Sequence, residues 1–242
     1  MKAIFYKEVN GFLNSLIAYM VIAVFLCVTS LVMWFFPETS ILEYGYADAF
    51  VFFQTVPFIF IFLIPAITMR SFSEERKSGT IELLFTKPLT DWDIIIGKYF
   101  AALLLVVFAL LPTLIYMLSI SKLGNPVGNL DSSGIAGSYI GLVFLAAVFT
   151  AIGIWVSVVT KNQIVSFIAA AFLCFMAFQG FESVSGLVAN GVVALWVKQL
   201  GLYYHYQSLG KGMIDTRDVV FLFSAACIFL FLTKLTLAAR KW

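Results

Sequence analysis

One histidine, three cysteines and six prolines in 242 residues, with only 12% of positions charged, leave little from which to build water-facing chemistry. A typical soluble domain is about 25% charged, so this chain lacks about half the charge needed to coat a hydrated surface. A single histidine excludes the two-histidine metal motifs and largely excludes an intramembrane hydrolase. Cys27, Cys174 and Cys227 all fall in apolar runs. Their odd number and unpaired spacing give neither a disulfide framework nor a zinc site, and they read as small packing residues. The net charge of +2 provides no electrostatic footprint for nucleic acid.

What is present is apolar: 62% hydrophobic residues, 26 Phe, 10 Tyr and 5 Trp, with a mean hydropathy of +1.01. A helix needs about 20 apolar residues to cross a hydrocarbon core. Five runs without Asp, Glu, Lys, Arg or His meet that length, at 16–36, 50–69, 99–121, 132–160 and 162–181. A sixth, 219–239, contains Lys234, whose amine can extend to the interface beside Arg240 and Lys241. The runs do not alternate with period two, which favours helices over a barrel. The first is longer than a signal-peptide core and no small-x-small cleavage site follows it, so it reads as a retained span. The expected class is therefore all-α: a polytopic membrane protein of six transmembrane helices forming one domain over 1–242.

Basic residues set the expected orientation. With both ends on one side, that side holds Lys2, Lys7, Arg70, Arg76, Lys77, Lys87, Lys98, Lys161, Lys234, Arg240 and Lys241, against Lys122, Lys198, Lys211 and Arg217 on the other. Both termini are expected in the cytoplasm. No carboxylate or histidine lies within the six runs, which disfavours an ion-coupled carrier, and neither a filter loop nor a ring of charges marks a channel. The polar residues inside the runs, Gln54, Thr55, Thr113, Thr150, Gln163 and Gln179, read chiefly as interhelical hydrogen-bonding groups. No phosphate-binding G-x-x-x-x-G-K-[ST] loop occurs: Gly97-Lys98 is followed by Tyr99, and Gly210-Lys211 by Gly212. Any work this chain does must draw on a separate motor.

The segment 70–98 holds ten charged residues in 29 positions and so faces water. Ser71 and Glu74 have capping-box spacing, predicting a short polar helix through Glu75, Arg76 and Lys77. Gly79 permits a chain reversal. A two-turn helix is expected over Thr80–Thr86, with Ile81, Leu84 and Phe85 on one face and Glu82 elsewhere, ended by Pro88. Thr90 and Asp93 can cap the helix that follows. The pattern alone fits equally a loop helix lying on the bilayer and a docking helix that inserts into a groove on a soluble partner.

At the start, Ile4, Phe5, Val9 and Phe12 alternate with Lys2, Lys7, Glu8 and Asn14, as in an interfacial helix over 1–15. Between the fifth and sixth runs, 182–218 contains an apolar stretch, Ser183–Val197, broken by Gly186, Asn190 and Gly191, which is too short to span and reads as re-entrant or interfacial. Tyr203, Tyr204 and Tyr206 follow as an aromatic belt, and His205 reads as a loop or interfacial residue. Pro57, Pro65 and Pro112 can bend their helices. Gly137 and Gly141 allow close helix approach.

The run Glu75-Arg76-Lys77-Ser78-Gly79-Thr80-Ile81-Glu82-Leu83-Leu84, with Pro88 and Gly97-Lys98, resembles the motif of ABC-2 type transporter permeases. Phe5-Tyr6-Lys7-Glu8-Val9 with Phe12 and Ser15 resembles that family's interfacial helix, and Gly212-Met213-Ile214-Asp215 with Asp218 resembles its entry to the last span. Within the family the pattern is similar to gliding-motility-associated permease subunits, with the copper-site-maturation permease of nitrous oxide reductase a near relative. The resemblance implies a cytoplasmic coupling helix in 70–98 that contacts an ABC ATPase subunit through Glu74, Glu75, Arg76, Lys77, Gly79, Thr80, Ile81, Glu82, Leu84 and Phe85. It also implies an interfacial helix contributing Phe5, Lys7, Glu8 and Phe12, and a second permease bundle as partner. It further implies export across a bacterial inner membrane, with ATP and magnesium on the partner and no cofactor or catalytic residue in this chain. A membrane anchor without transport activity is the alternative.

Overall fold

The computed structural model describes residues 1–44, 48–82, 89–188, 190–212 and 215–239, and these are helical, with no strand among the described residues. The chain runs through α1 (Lys2–Leu13), α2 (Leu16–Trp34), the single turn α3 (Ile41–Tyr44), α4 (Phe50–Thr68), α5 (Ser73–Lys77) and α6 (Asp91–Leu110). It continues through α7 (Leu114–Leu123), α8 (Ser132–Val159), α9 (Gln163–Phe175), α10 (Phe181–Leu187), α11 (Gly191–Gln199), α12 (Leu202–Leu209) and α13 (Thr216–Ala238). Five continuous stretches, Phe50–Lys77, Asp91–Leu123, Ser132–Val159, Gln163–Leu187 and Thr216–Ala238, are long and apolar enough to cross a membrane. Helices α1 and α2, joined through a 65° bend, meet the same test only as a pair, which makes up to six crossings.

Two of these crossings carry local irregularities, and a third, despite two prolines, carries no break. Pro112 removes a backbone donor, and the third crossing passes through a 3₁₀ turn at Leu111–Thr113 between α6 and α7. Pro57 and Pro65 lie inside a helix that stays continuous. The fifth crossing extends beyond the run expected for it, because a π-helical turn at Met176–Gly180 joins α9 to α10. The segment after it forms a short helical pair, α10 and α11, closed by Lys198 Nζ to Glu182 Oε1 at 2.7 Å.

Helix α8 lies at the centre, packed against α4, α6, α9, α12 and α13. Lipid tails are as apolar as leucine, so close packing of small residues rather than apolarity holds such a bundle together. At Gly153 an added Cβ would overlap the Thr68 hydroxyl, which shows how tightly α4 and α8 approach. The glycine pair Gly137 and Gly141 faces α12: a Cβ at Gly137 would strike the Leu209 carbonyl, and one at Gly141 would lie 3.2 Å from the Tyr206 ring. Cys174 is buried, whereas Cys27 and Cys227 are exposed rather than packed inside the chain.

Of the polar span residues, Thr113 meets expectation by pairing with the Tyr139 hydroxyl at 2.9 Å. Thr55 instead bonds back to Val51 of its own helix, and the Thr150 hydroxyl is buried without a partner among the described residues.

Candidate functional site

At the end of the bundle that carries α1, three separate pieces of chain meet on one ammonium group. Helix α6 begins with the expected capping box: the Thr90 hydroxyl accepts from Asp93 N–H, and the Asp93 carboxylate accepts from Thr90 N–H. The amine of Met1 adds an ion pair to Asp93 at 3.1 Å, which fixes the start of α1 over the start of α6. One turn later Gly97 presents no side chain, and Ile4 of α1 fills that space; a Cβ there would lie 3.0 Å from Ile4. This close crossing brings Glu8 of α1 over the next residue of α6, Lys98.

Lys98 is 2% exposed. Its ammonium has three donors, and three partners surround it: Glu8 Oε1 at 2.9 Å, the Ser71 carbonyl at 2.6 Å and Glu75 Oε1 at 3.0 Å. The face of Phe72 lies 5.0 Å from the nitrogen, within cation–π range. Lys7, exposed, closes the network with Glu75 at 3.3 Å. A buried charge of this kind persists only when paired and hydrogen-bonded.

The same segment is tied to α8. The first N–H groups of α5 have no partner within their own helix, and Ser157 supplies one from α8, its Oγ accepting from Phe72 N–H at 2.9 Å and Ser73 N–H at 3.1 Å. Ser71 therefore does not cap α5, contrary to the capping-box expectation; its carbonyl serves Lys98 and Phe72 occupies the N-cap position, without a side-chain cap bond. Arg76, at the other end of α5, donates to the Val158 carbonyl at 2.6 Å and the Val159 carbonyl at 3.2 Å. A guanidinium there suits the negative end of α8.

Beyond α5 the chain reverses at Gly79, whose φ of +72° is the left-handed region, and Ser78 and Thr80 hydroxyls pair at 2.8 Å across the turn. Lys77, Thr80 and Glu82 are exposed, and Ile81 is half-buried against the core. Leu84 and Phe85, with the remainder of the helix expected to Thr86, lie outside the described residues. Of the residues picked out by sequence, the structure thus joins Lys7, Glu8 and Glu75 in one network and sends Arg76 to α8. It leaves Glu74 exposed and sets Phe5 edge-on to Tyr6, at 5.7 Å. Phe12 lines a cavity of about 250 Å³ beside the network. Sequence reading placed Lys98 only in the family motif and among the cytoplasmic basic residues, gave Ser71 a capping role, and did not pick out Ser157; the signal for Lys98 as a buried group was a lone lysine seven residues into the helix Asp91–Leu110, at the edge of the apolar run 99–121.

The opposite end is built from aromatic and small residues. Phe178, fully buried in the π turn, contacts the rings of Phe58, Phe149, Tyr203 and Tyr206. The Tyr206 hydroxyl donates to the Phe53 carbonyl at 2.6 Å, and burial pushes its pKa well above the usual phenol value. His205 is not a loop residue: it lies buried in α12, stacked on Phe221 at 3.9 Å. Its Nε2–H donates to the Gln199 carbonyl at 2.8 Å, and Nδ1 meets Asp218 Oδ1 at 2.6 Å. Asp218 is itself buried in the first turn of α13, a carboxylate that the run boundaries had placed outside the span. A cavity of about 340 Å³ lies between α4, the start of α8 and α12, lined by Gln54, Asp131, Tyr203 and Lys211 among others.

Among known families, the profile of ABC-2 family transporter proteins matches residues 37–209, which include Glu75, Lys98 and Ser157 but not α1. No curated protein matches the chain.

Proposed function

Because this chain belongs to the ABC-2 transporter family, we propose that it is the permease subunit of an ATP-driven exporter, moved by a separate ABC ATPase that docks on the turn after α5. The observation that carries this reading is Lys98, a buried ammonium shared between α1, the 71–75 segment and α6. Force applied to the exposed turn at Lys77–Glu82 passes into that network and into α8 through Arg76 and Ser157. Rigid ties of this sort are what a lever requires.

In this reading the α1 end faces the cytoplasm of a bacterial cell, as the excess of Lys and Arg suggests. Two bundles, identical or different, pair to enclose the path, and ATP and magnesium act on the partner subunit. Closure of the ATPase pair moves the turn, tilts α4 and α6, and changes which side has access. The ATPase must bind the two access states unequally, since equal binding shifts nothing, and moving a population from 1:99 to 99:1 takes a preference of about 10⁴-fold. The similarity to gliding-motility-associated permease subunits makes service to that machinery the first physiological role to test.

The test is co-purification of the ATPase with the full chain. Replacing Ile81, Leu84 and Phe85 with Asp is expected to abolish the complex while leaving the bundle folded. An unchanged complex would overturn the reading, and a complex that hydrolyses ATP in vesicles without moving any cargo would favour a membrane anchor.

A further inference from the structure

The cavity of about 250 Å³ beside Lys98 has two kinds of wall. One is apolar, formed by Val21 and Ile22 of α2 and Ile67 of α4; the other carries Lys7, Arg70 and Glu75. Neighbouring Leu16, Tyr19 and Met20 are large apolar or aromatic side chains exposed on the outside of α2, a surface suited to lipid. The cavity is thus placed at the level where lipid headgroups meet tails.

Two charged side-chain atoms bordering it have no hydrogen-bond partner among the described residues. Arg70 Nε and Glu75 Oε2 are both buried and neither makes a hydrogen bond, although Glu75 uses its other oxygen for Lys98 and Lys7. One is a donor and the other an acceptor, and a buried group of either kind is costly when unsatisfied. A ligand that satisfies both must therefore offer an oxygen acceptor and an N–H or O–H donor. The wall as a whole is balanced, Lys7, Arg70 and Lys98 against Glu8, Glu74 and Glu75, so a headgroup with net negative charge gains nothing over a zwitterion.

We infer that this cavity binds an ethanolamine phospholipid from the leaflet at the α1 end, with its phosphate on Arg70, its primary ammonium on Glu75 and its chains along Val21, Ile22 and Ile67. Choline headgroups carry the same phosphate and charge but no N–H, so they leave Glu75 Oε2 unsatisfied. Glycerol headgroups add an uncompensated negative charge. A lipid held here packs against the lysine network and α1, and so belongs to the body that the ATPase is proposed to move.

The test uses the full chain in detergent, exchanged against equal amounts of ethanolamine, choline and glycerol phospholipids of identical chains, with retained lipid read by mass spectrometry after gel filtration. Stoichiometric retention of the ethanolamine lipid, about 10-fold over choline, is expected from one charge-assisted hydrogen bond. Arg70→Met should lower retention about 10-fold, and Ile22→Trp, which fills the apolar wall, should lower it for every headgroup. Equal retention of choline and ethanolamine lipids, preference for the glycerol lipid, or no retained phospholipid would each overturn the inference. The headgroup ranking of the unaltered chain decides the matter even where a variant fails to fold.

Discussion

The two ends of this bundle are held by different physics. At the α1 end, a few directional contacts between charged or hydroxyl groups connect segments far apart in sequence: Glu8 with Lys98, Ser71 with Lys98, Phe72 with Ser157, and Arg76 with the last carbonyls of α8. At the other end, directional ties such as Tyr206 to Phe53 and His205 to Asp218 are set within a close-packed seam, where α12 lies on the small residues of α8 and aromatic rings fill the space around Phe178. Directional ties fix which atoms move together, whereas a close-packed seam passes strain on as a nearly incompressible body. The contrast fits a molecule pushed from one end and packed at the other.

The sharpest way to break this comparison is to remove the charge at its centre. Lys98→Met leaves Glu8 and Glu75 facing one another in a buried site, and breaking a buried pair in this way costs about 3–5 kcal/mol. A large fall in thermal stability of the purified chain is expected, and a triple variant with Glu8→Gln and Glu75→Gln should recover much of it. A stable single variant would mean that the network is not buried as described.

A smaller effect is expected from close packing at the far end. Gly137→Ala places a methyl group against the Leu209 carbonyl, and such overpacking costs about 1–3 kcal/mol, less the helix-propensity gain of about 1 kcal/mol for Gly→Ala. Gly186→Ala is the control, since nothing lies within 4 Å of the new atom; it should be neutral or slightly stabilising. Equal melting temperatures for the two variants would show that α12 does not seat on α8.

The smallest expected effect is pH-dependent. Asp131 accepts hydrogen bonds from the Ser133 hydroxyl and Gly134 N–H at the start of α8, which hold its carboxyl below the ordinary value of 3.8. A carboxylate lowered in the folded state stabilises above its ordinary pKa and loses that contribution as pH falls through the lowered one. Asp131→Ala should therefore reduce the melting temperature modestly at neutral pH, and the difference between the two chains should shrink as pH falls below 3.8 and through the lowered pKa. Thr90 and Asp93 at the α1 end should be less simple, because Met1 shares the carboxylate.

The same contrast explains what could be read in the sequence. Length and apolarity revealed the crossings, and the Thr90–Asp93 box and the Gly137/Gly141 pair were legible because their signals lie within one turn or one helix face. Lys98 was not legible as a buried hub, since its partners are Glu8, Ser71 and Glu75, 23 to 90 residues away. Ser157 as the cap of α5 and Asp218 as the partner of His205 escaped for the same reason: each depends on which helices become neighbours. The π turn at Met176–Gly180 leaves no trace in hydropathy because both its sides are apolar.

The central claim is that the turn after α5 is the surface on which the ATPase acts. A photo-crosslinking amino acid placed at Glu82, exposed next to that turn, should capture the ATPase in the assembled complex, and the same group at Lys211, on the far end, should not. Capture from Lys211, or none from Glu82 in a complex that still hydrolyses ATP, would contradict the account.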